Sequence, residues 1–397
     1  MQRLHQDKGR RTLGWLGIHR GHRARPLEWV VEKLIFGVSL SAILVIFLIF
    51  LFVAREALPI FLGRMDSAPV QRVIPVEEMD KLSPEELRRY LDLTEKQQAR
   101  MDRETLRSLM EIKLEALNEI PEEFRTDQDA RLNTTQWRYL LFPHQWTEYS
   151  KPEYIWQPIG NIRKYNVVPL IVGSLKTTLI GLIFSVPLAV LAAIYVSQLA
   201  RPRVRELTKP AIELLSGIPS VVVGVFALLV MATVLQRLFG YETRLNAFVA
   251  GIALGFAVIP IVFSIAEDAL TSVPQTYTQG ALALGASKWQ AAWQIVLPAA
   301  LPGVFAAVVL GFGRAIGETM IVLMVCSASV VSWSFFDSAR SITTTIAAEM
   351  AEAVAGGPHY RILFMLGAVL FAVTFLANLA GDLIIHRLKG RLEGQRG

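Results

Sequence analysis

Six long apolar blocks dominate this sequence of 397 residues. Each exceeds the roughly 18 residues that a helix needs to cross the hydrocarbon core of a membrane, and each contains few charges. Because lipid offers the backbone no hydrogen-bond partners, such blocks must cross it as helices. We therefore predict an all-α membrane protein with about six transmembrane helices. The blocks are Leu34–Val53, Val168–Val196, Ala211–Leu235, Leu245–Ala266, Leu301–Val331 and Ile362–Ile385.

Composition excludes several other classes. The net charge of +6 comes from basic residues that lie beside the apolar blocks, which is typical of a membrane protein and does not indicate nucleic-acid binding. Cys326 is the only cysteine, so no intrachain disulfide can form, and the sequence has no Cys/His metal pattern. It also lacks a Walker loop and a Rossmann glycine fingerprint. Energy for any uphill work must therefore enter through a partner.

Loop charge predicts the orientation. Basic residues cluster in 1–33, 201–209 and 387–397, and six crossings place all three clusters on one side. We expect both termini to be cytoplasmic and residues 64–166, 236–244 and 332–361 to lie outside. The first apolar block, with about 20 residues, is longer than the 7–15 of a secretory signal core, so we expect a retained helix over 34–56.

Residues 64–166 carry charges and helix signals. Ser83-Pro84-Glu85-Glu86 matches an N-cap, a proline at the first helical position and a capping-box glutamate. An apolar stripe follows Asp102, formed by Leu106, Met110, Leu114 and Leu117. We predict an external helical hairpin or small helical bundle. It is either an insert without chemistry or a docking surface for an external partner.

The stretch Gly280–Gly303 is too polar for a span and too apolar for an ordinary loop, and Gln275–Gln294 has the residues of short helices. It predicts two short helices broken near Gly285, the first with small residues that allow close approach by another surface. Leu297-Pro298 and Leu301-Pro302 should then redirect the chain into the fifth span. We expect a knob on the cytoplasmic face that makes a mechanical contact.

This stretch resembles a known motif. Gln279-Gly280-Ala281-Leu-Ala-Leu-Gly285-Ala-Ser, followed by Ile295-Val-Leu297-Pro298, is similar to the EAA loop of ABC importer permeases, with Gln279 at the motif's glutamate and Gly280 at its first alanine. In that family the loop seats in a groove of the ATPase subunit. The resemblance implies an ATPase-coupling loop within 267–300. The coupling residues that it implies are Gln279, Gly280, Ala281, Gly285, Leu297 and Pro298.

Two further motifs narrow the resemblance to phosphate-specific transport permeases. They are Ile212-Glu213-Leu-Leu-Ser-Gly217-Ile218-Pro219-Ser220 and Gly313-Arg314-Ala-Ile-Gly317-Glu318-Thr319-Met320. Met320 and the run Ser341-Ile-Thr-Thr-Thr-Ile-Ala-Ala-Glu349 are similar to the PstC-type subunit.

The resemblance covers about 167–386 and implies a type I importer bundle in a bacterial inner membrane. It implies a PstA-type permease, an ATPase dimer and a periplasmic phosphate-binding protein as partners. ATP and magnesium would be bound by the ATPase, and this chain would hold no cofactor and catalyse no reaction.

Arg314 and Glu318 are charges four residues apart inside the fifth block, so we predict that they share a helix face. Charges inside a membrane are costly and face the bundle interior or a water-filled path. They could neutralise each other, or Arg314 could line an anion pathway with Glu318 moderating its charge. Thr319 and Ser220 could add hydroxyl donors, although helix packing also explains both.

Three other charges have simpler interpretations. We expect Lys176 to extend to the membrane surface, and Glu267 and Asp268 to form a solvated helix end.

The leading hypothesis is a permease subunit of an ATP-driven phosphate importer. The alternatives are a permease for another oxyanion such as sulfate or molybdate, and a membrane scaffold or sensor that uses the external segment.

Overall fold

The computed structural model describes residues 26–65, 74–91, 93, 98–118, 129, 132–160, 162–326 and 331–394. The chain divides into two units, 1–52 and 53–397. The described part of the first unit belongs to helix α1 (Pro26–Phe61), which is almost entirely apolar from residue 34 to residue 52. A helix that is apolar on all sides suits a lipid environment.

The second unit is built mainly from helices. Its described α-helices are α2 (Pro84–Tyr90), α3 (Arg103–Asn118), α4 (Trp137–Leu141), α5 (Val168–Ile194), α6 (Pro202–Ser216), α7 (Ser220–Phe226), α8 (Ala232–Phe239), α9 (Ala247–Thr271), α10 (Gln275–Ala283), α11 (Lys288–Ala291), α12 (Leu297–Ile316), α13 (Met320–Val325), α14 (Ile342–Glu349) and α15 (Pro358–Gly394). Its π-helical segments are Tyr195–Leu199, Ala227–Met231 and Ala292–Val296.

Six helical stretches among the described residues are long and apolar enough to cross a membrane. They are Val30–Phe61, Val168–Leu199, Ser220–Phe239, Ala247–Thr271, Lys288–Ile316 and Pro358–Arg387. The prediction of an all-α protein with six spans is confirmed. In this arrangement α7 and α8 form the third span, and α11 and α12 form the fifth.

The third and fifth spans differ most from the predicted blocks. The third begins at Ser220, because residues 211–216 belong to the separate helix α6 and Pro219 cannot donate a backbone hydrogen bond to extend that helix. The fifth ends at Ile316, where Gly317 is the C-cap. Residues 327–330 of the predicted fifth block lie outside the described residues.

The prolines near the start of the fifth span were predicted to redirect the chain, but they do not. Lys288–Ile316 is one continuous helical stretch, with Pro298 in the first turn of α12 and Pro302 inside it. The π-helical segment Ala292–Val296 directly precedes Pro298. Proline has no backbone N–H to donate. The hydrogen bonds of the π-helical segment are shifted by one residue, which allows the helix to continue past this missing donor.

Helices α5, α9 and α12 meet in the centre of the second unit. Phe263 and Leu254 of α9 are fully buried there, together with Ala193 of α5 and Ala307 of α12. Small side chains let the helices approach closely, and close van der Waals packing is what holds helices together in lipid.

The described part of segment 64–166 is only partly helical. The capping box is confirmed, because the Ser83 N–H donates to the Glu86 carboxylate (2.9 Å) and the Glu86 N–H donates to Ser83 Oγ (3.3 Å). From residue 132 onward the segment also contains a two-stranded antiparallel sheet, which pairs β1 (Trp156–Gln157) with β2 (Lys164–Tyr165). Strands of two residues are too short for an alternating pattern, so the sequence did not reveal them.

Helix α14 lies within the predicted external loop 332–361. Ser341 caps it, since its Oγ accepts the Thr344 N–H (3.2 Å) and its own N–H donates to Thr344 Oγ1 (3.1 Å). The hydroxyl residues Thr344 and Thr345 are buried. This part of the chain is therefore a packed element between α13 and α15.

Candidate functional site

Two glycine-containing breaks lie at the ends of spans, one directly before the third span and one directly after the fifth. At the first break, Gly217-Ile218-Pro219 separates α6 from α7. At the second break, Gly317-Glu318-Thr319 separates α12 from α13. A helix break frees backbone N–H and C=O groups, and near the membrane such groups are tolerated where protein or a water-filled cavity surrounds them. The two breaks are thus candidates for a binding or translocation site.

The helices that follow the two breaks are packed together. A Cβ atom added to Gly224 of α7 would lie 3.3 Å from Ile321 Cα and 3.3 Å from the Met320 carbonyl oxygen of α13. These contacts are tighter than most Cβ contacts, so glycine at this position favours the close approach of α7 and α13. Ser220 lies one helical turn before Gly224, so it is on the same face of the helix. Ser220 therefore lies on the face of α7 that packs against α13.

Arg314 and Glu318 were predicted to share a helix face. They do not, because α12 ends between them. Arg314 lies in the last turn of α12, where the helix dipole favours a cation, and its side chain is exposed in this chain. Glu318 lies in the break, and its carboxylate accepts the Met320 N–H (3.3 Å). No ion pair joins Arg314 to Glu318 within the described residues.

The other residues of this break are held by local contacts. Thr319 Oγ1 donates to the Gly317 carbonyl (3.4 Å), and Thr343 Oγ1 of α14 donates to the Glu318 carbonyl (2.9 Å). The hydrogen bond from Thr343 ties the break to α14. The roles of Arg314, Glu318, Thr319 and Ser220 in translocation stay predictions.

The knob consists of α10, the turn 284–287 and α11. Gly285 has φ +89°, a left-handed conformation that side chains rarely adopt, which explains the glycine at this turn. Ser287 then caps α11, because its Oγ accepts the Gln290 N–H (3.2 Å). Leu284 at the turn is 90% exposed. The predicted pair of short helices broken near Gly285 is confirmed.

The predicted coupling residues do not all face outward. Gln279 and Gly280 are exposed on α10, whereas Ala281 is buried against the rest of this chain. Leu297 packs partly against the central apolar cluster, while Pro298 is exposed. Their contribution to ATPase contact stays a prediction, and the exposed members are the ones that a partner could reach.

Glu267 was expected at a solvated helix end, but its side chain is 1% exposed. Its carboxylate accepts hydrogen bonds from Arg205 (2.8 Å), Lys209 (2.8 Å) and the Thr271 hydroxyl (2.9 Å). The neighbouring Asp268 is 69% exposed and accepts from Lys209 (2.8 Å). Hydrogen bonds to Asp268 and Glu267 raise the pKa of Lys209 to about 12. We call Glu267, Arg205, Lys209 and Thr271 the Glu267 clamp.

Lys176 was expected to extend to the membrane surface, but its side chain is buried. It is 7% exposed, and its Nζ donates to the carbonyls of Ser332 (2.9 Å) and Ser334 (2.8 Å). The sequence shows a lone lysine near the start of a span, which usually extends outward. Here the loop after α13 folds over it and supplies the acceptors.

A second buried carboxylate, Glu349, lies at the end of α14. It accepts hydrogen bonds from Arg340 (2.6 Å) and from the Trp156 indole of β1 (3.1 Å). Burial raises the pKa of Glu349, against the opposing effect of Arg340. Helix α14 thus contacts the two-stranded sheet at one end and the Glu318 break at the other. Among the described residues, no group of three His, Cys, Asp or Glu side chains could hold a metal ion.

A known family matches a large part of the helical bundle. Residues 185–392 match the model of the family described as the binding-protein-dependent transport system inner membrane component. This match covers more than half of the chain, so the chain belongs to that family and is a multi-pass membrane permease of an ABC importer.

Within this family the similarity is to PstC-type permeases. The phosphate transport system permease protein PstC of Xylella fastidiosa strain 9a5c is 35% identical over 60% of this chain and 78% of that protein. The probable ABC transporter permease protein YqgH of Bacillus subtilis is 35% identical over 56% of this chain and 72% of that protein. PstC of Pasteurella multocida is 31% identical over 61% and 80%. The resemblance to PstC-type permeases is confirmed.

Proposed function

We propose that this chain is a permease subunit of an ATP-driven importer of inorganic phosphate. Its relatives named PstC support the substrate, and the unpaired Arg314 beside a helix break is the structural observation that carries the proposal. A guanidinium presents planar paired donors that fit a phosphate oxyanion. Without an acidic partner among the described residues, those donors are available to an anion.

The pathway would run along the two breaks. Arg314 attracts the anion, Thr319 offers a hydroxyl group at the start of α13, and Ser220 offers one on the face of α7 that packs against α13. Glu318, which lies beside them and carries a negative charge when ionised, limits how tightly an anion is held, so that phosphate can leave. A path must bind its substrate well enough to admit it and weakly enough to release it.

The remaining parts of the importer would come from other chains. A PstA-type permease would complete the path, two ATPase subunits would bind ATP and magnesium against the knob, and a periplasmic protein would deliver phosphate. Exposed Gln279, Gly280 and Leu284 support contact through the knob. This assignment places the knob and both termini in the cytoplasm and the chain in a bacterial inner membrane.

Phosphate uptake by vesicles that contain the whole complex tests the pathway. Arg314→Gln removes the charge, and we expect uptake to fall while the complex still assembles. Arg314→Lys keeps the charge but loses the paired donors, so partial activity is expected. Unchanged uptake in Arg314→Gln would refute the pathway role. Competition by sulfate and molybdate separates a phosphate permease from one for another oxyanion.

A further inference from the structure

The Glu267 clamp joins two helices, α9 and α6, that lead to different parts of the proposed mechanism. Glu267 and Thr271 lie at the end of α9, and three residues later the chain enters α10 of the knob. Arg205 and Lys209 lie on α6, which ends at the Gly217–Pro219 break before α7. The clamp thus lies between the knob and one of the two breaks.

Helix α6 has few other attachments. None of its residues is fully buried, and Ile212 provides its contact with the central apolar cluster. Arg205 and Lys209 are partly exposed, but their common partner Glu267 is shielded from solvent. Ion pairs with a shielded carboxylate are screened less than surface pairs, and removing one partner from such a pair is disruptive. The clamp is therefore the main fixed attachment of α6 to α9.

We propose that the Glu267 clamp transmits motion of the knob to the Gly217–Pro219 break. This proposal rests on the proposed function, since it assumes that an ATPase moves the knob. Displacement of α10 pulls on the end of α9, and the clamp moves α6 together with it. The break then changes the position of α7 relative to α13. Glu267, Arg205 and Lys209 are positioning residues in this scheme and contact no substrate.

Cysteine labelling in the assembled complex tests the proposal without any transported substrate. The background variant Cys326→Ala removes the only native cysteine. Ile218→Cys reports on the break, where the native side chain is 44% exposed. Leu284→Cys reports on the knob. Labelling rates are compared without nucleotide and with a non-hydrolysable ATP analogue, in vesicles that contain the ATPase subunits.

We expect the nucleotide to change the labelling rate of Ile218→Cys and the ATPase subunit to protect Leu284→Cys. Adding Glu267→Gln should abolish the nucleotide response at residue 218 while protection at residue 284 remains. The matched control is Asp268→Asn on the same helix, which removes only the exposed pair with Lys209 and leaves every hydrogen bond to Glu267 in place, so the response should persist. Lys209→Gln removes one cation of the clamp and should reduce the response, which provides a second variant if Glu267→Gln fails to assemble.

The outcomes separate this inference from the proposed function. If Leu284→Cys is not protected by the ATPase subunit, the knob is not the contact, and both proposals fail. If Leu284→Cys is protected but the response at residue 218 survives Glu267→Gln and Lys209→Gln, the clamp transmits nothing and only the inference is overturned. The inference is also overturned if the nucleotide does not change the labelling rate of Ile218→Cys while the clamp is intact.

Discussion

Gly280 offers a test of the knob in which stability and partner contact can be separated. It lies in α10, and a Cβ atom added there would meet nothing within 4 Å in this chain. Glycine inside a helix costs about 0.5–1 kcal/mol relative to alanine. We therefore expect Gly280→Ala to stabilise α10 by about that amount, because the new methyl group fills open space and only the helix propensity changes.

Gly280→Leu adds bulk to the same open position. The chain itself should tolerate it, but a side chain forced into a close interface costs about 1–3 kcal/mol. Such a loss weakens ATPase binding by about 5- to 150-fold. Binding is measured by titrating the ATPase subunit onto permease vesicles, and thermal unfolding of the permease alone is measured in parallel.

Ala281→Leu is the matched contrast. Ala281 is 4% exposed, so the added volume collides with the chain's own core and should lower the thermal stability of the permease alone. The reasoning fails if Gly280→Leu binds the ATPase subunit with unchanged affinity while Ala281→Leu behaves as described. In that case α10 would not meet a partner through its exposed face.

Three further predictions concern local contacts. Gly285→Ala forces a side chain into the left-handed region at a cost of about 1–2 kcal/mol, so protease should cleave the knob turn faster than in the native chain. Lys176→Met removes the hydrogen bonds from the ammonium group to two backbone carbonyls, at a cost of about 1–3 kcal/mol each, so amide hydrogen exchange should speed up in the loop that Lys176 holds. Trp156→Phe removes the indole donor to buried Glu349 and should lower thermal stability more than Trp137→Phe, whose native indole is partly exposed; equal effects would contradict this.

Local sequence patterns predicted much of this protein because the membrane constrains them strongly. Long apolar blocks must be helices in lipid, so the number of spans followed from composition and length. The capping box at Ser83 and the break at Gly285 were also predictable, since each depends on residues that are close in the chain. The resemblance of Arg314 and Glu318 to a transport motif was likewise a local observation.

Charges inside the bundle were predicted less well. Glu267 and Lys176 carry the same sequence signature as ordinary charged residues at helix ends, yet both are buried. Their partners lie on α6 and in the loop after α13, far away in the chain. A local pattern contains no information about which distant groups will supply hydrogen bonds, so the desolvation of these charges depended on the fold.

The sequence by itself determined the class of protein, the six spans and the knob, because hydrophobic length and turn chemistry act over a few residues. Only the tertiary structure decided that α12 ends between Arg314 and Glu318 and that Thr343 bonds to that break. It alone decided that Glu267 joins α6 to α9. The physical reason is that an ion pair or a helix break is stabilised by groups brought together in space, and sequence proximity does not specify them.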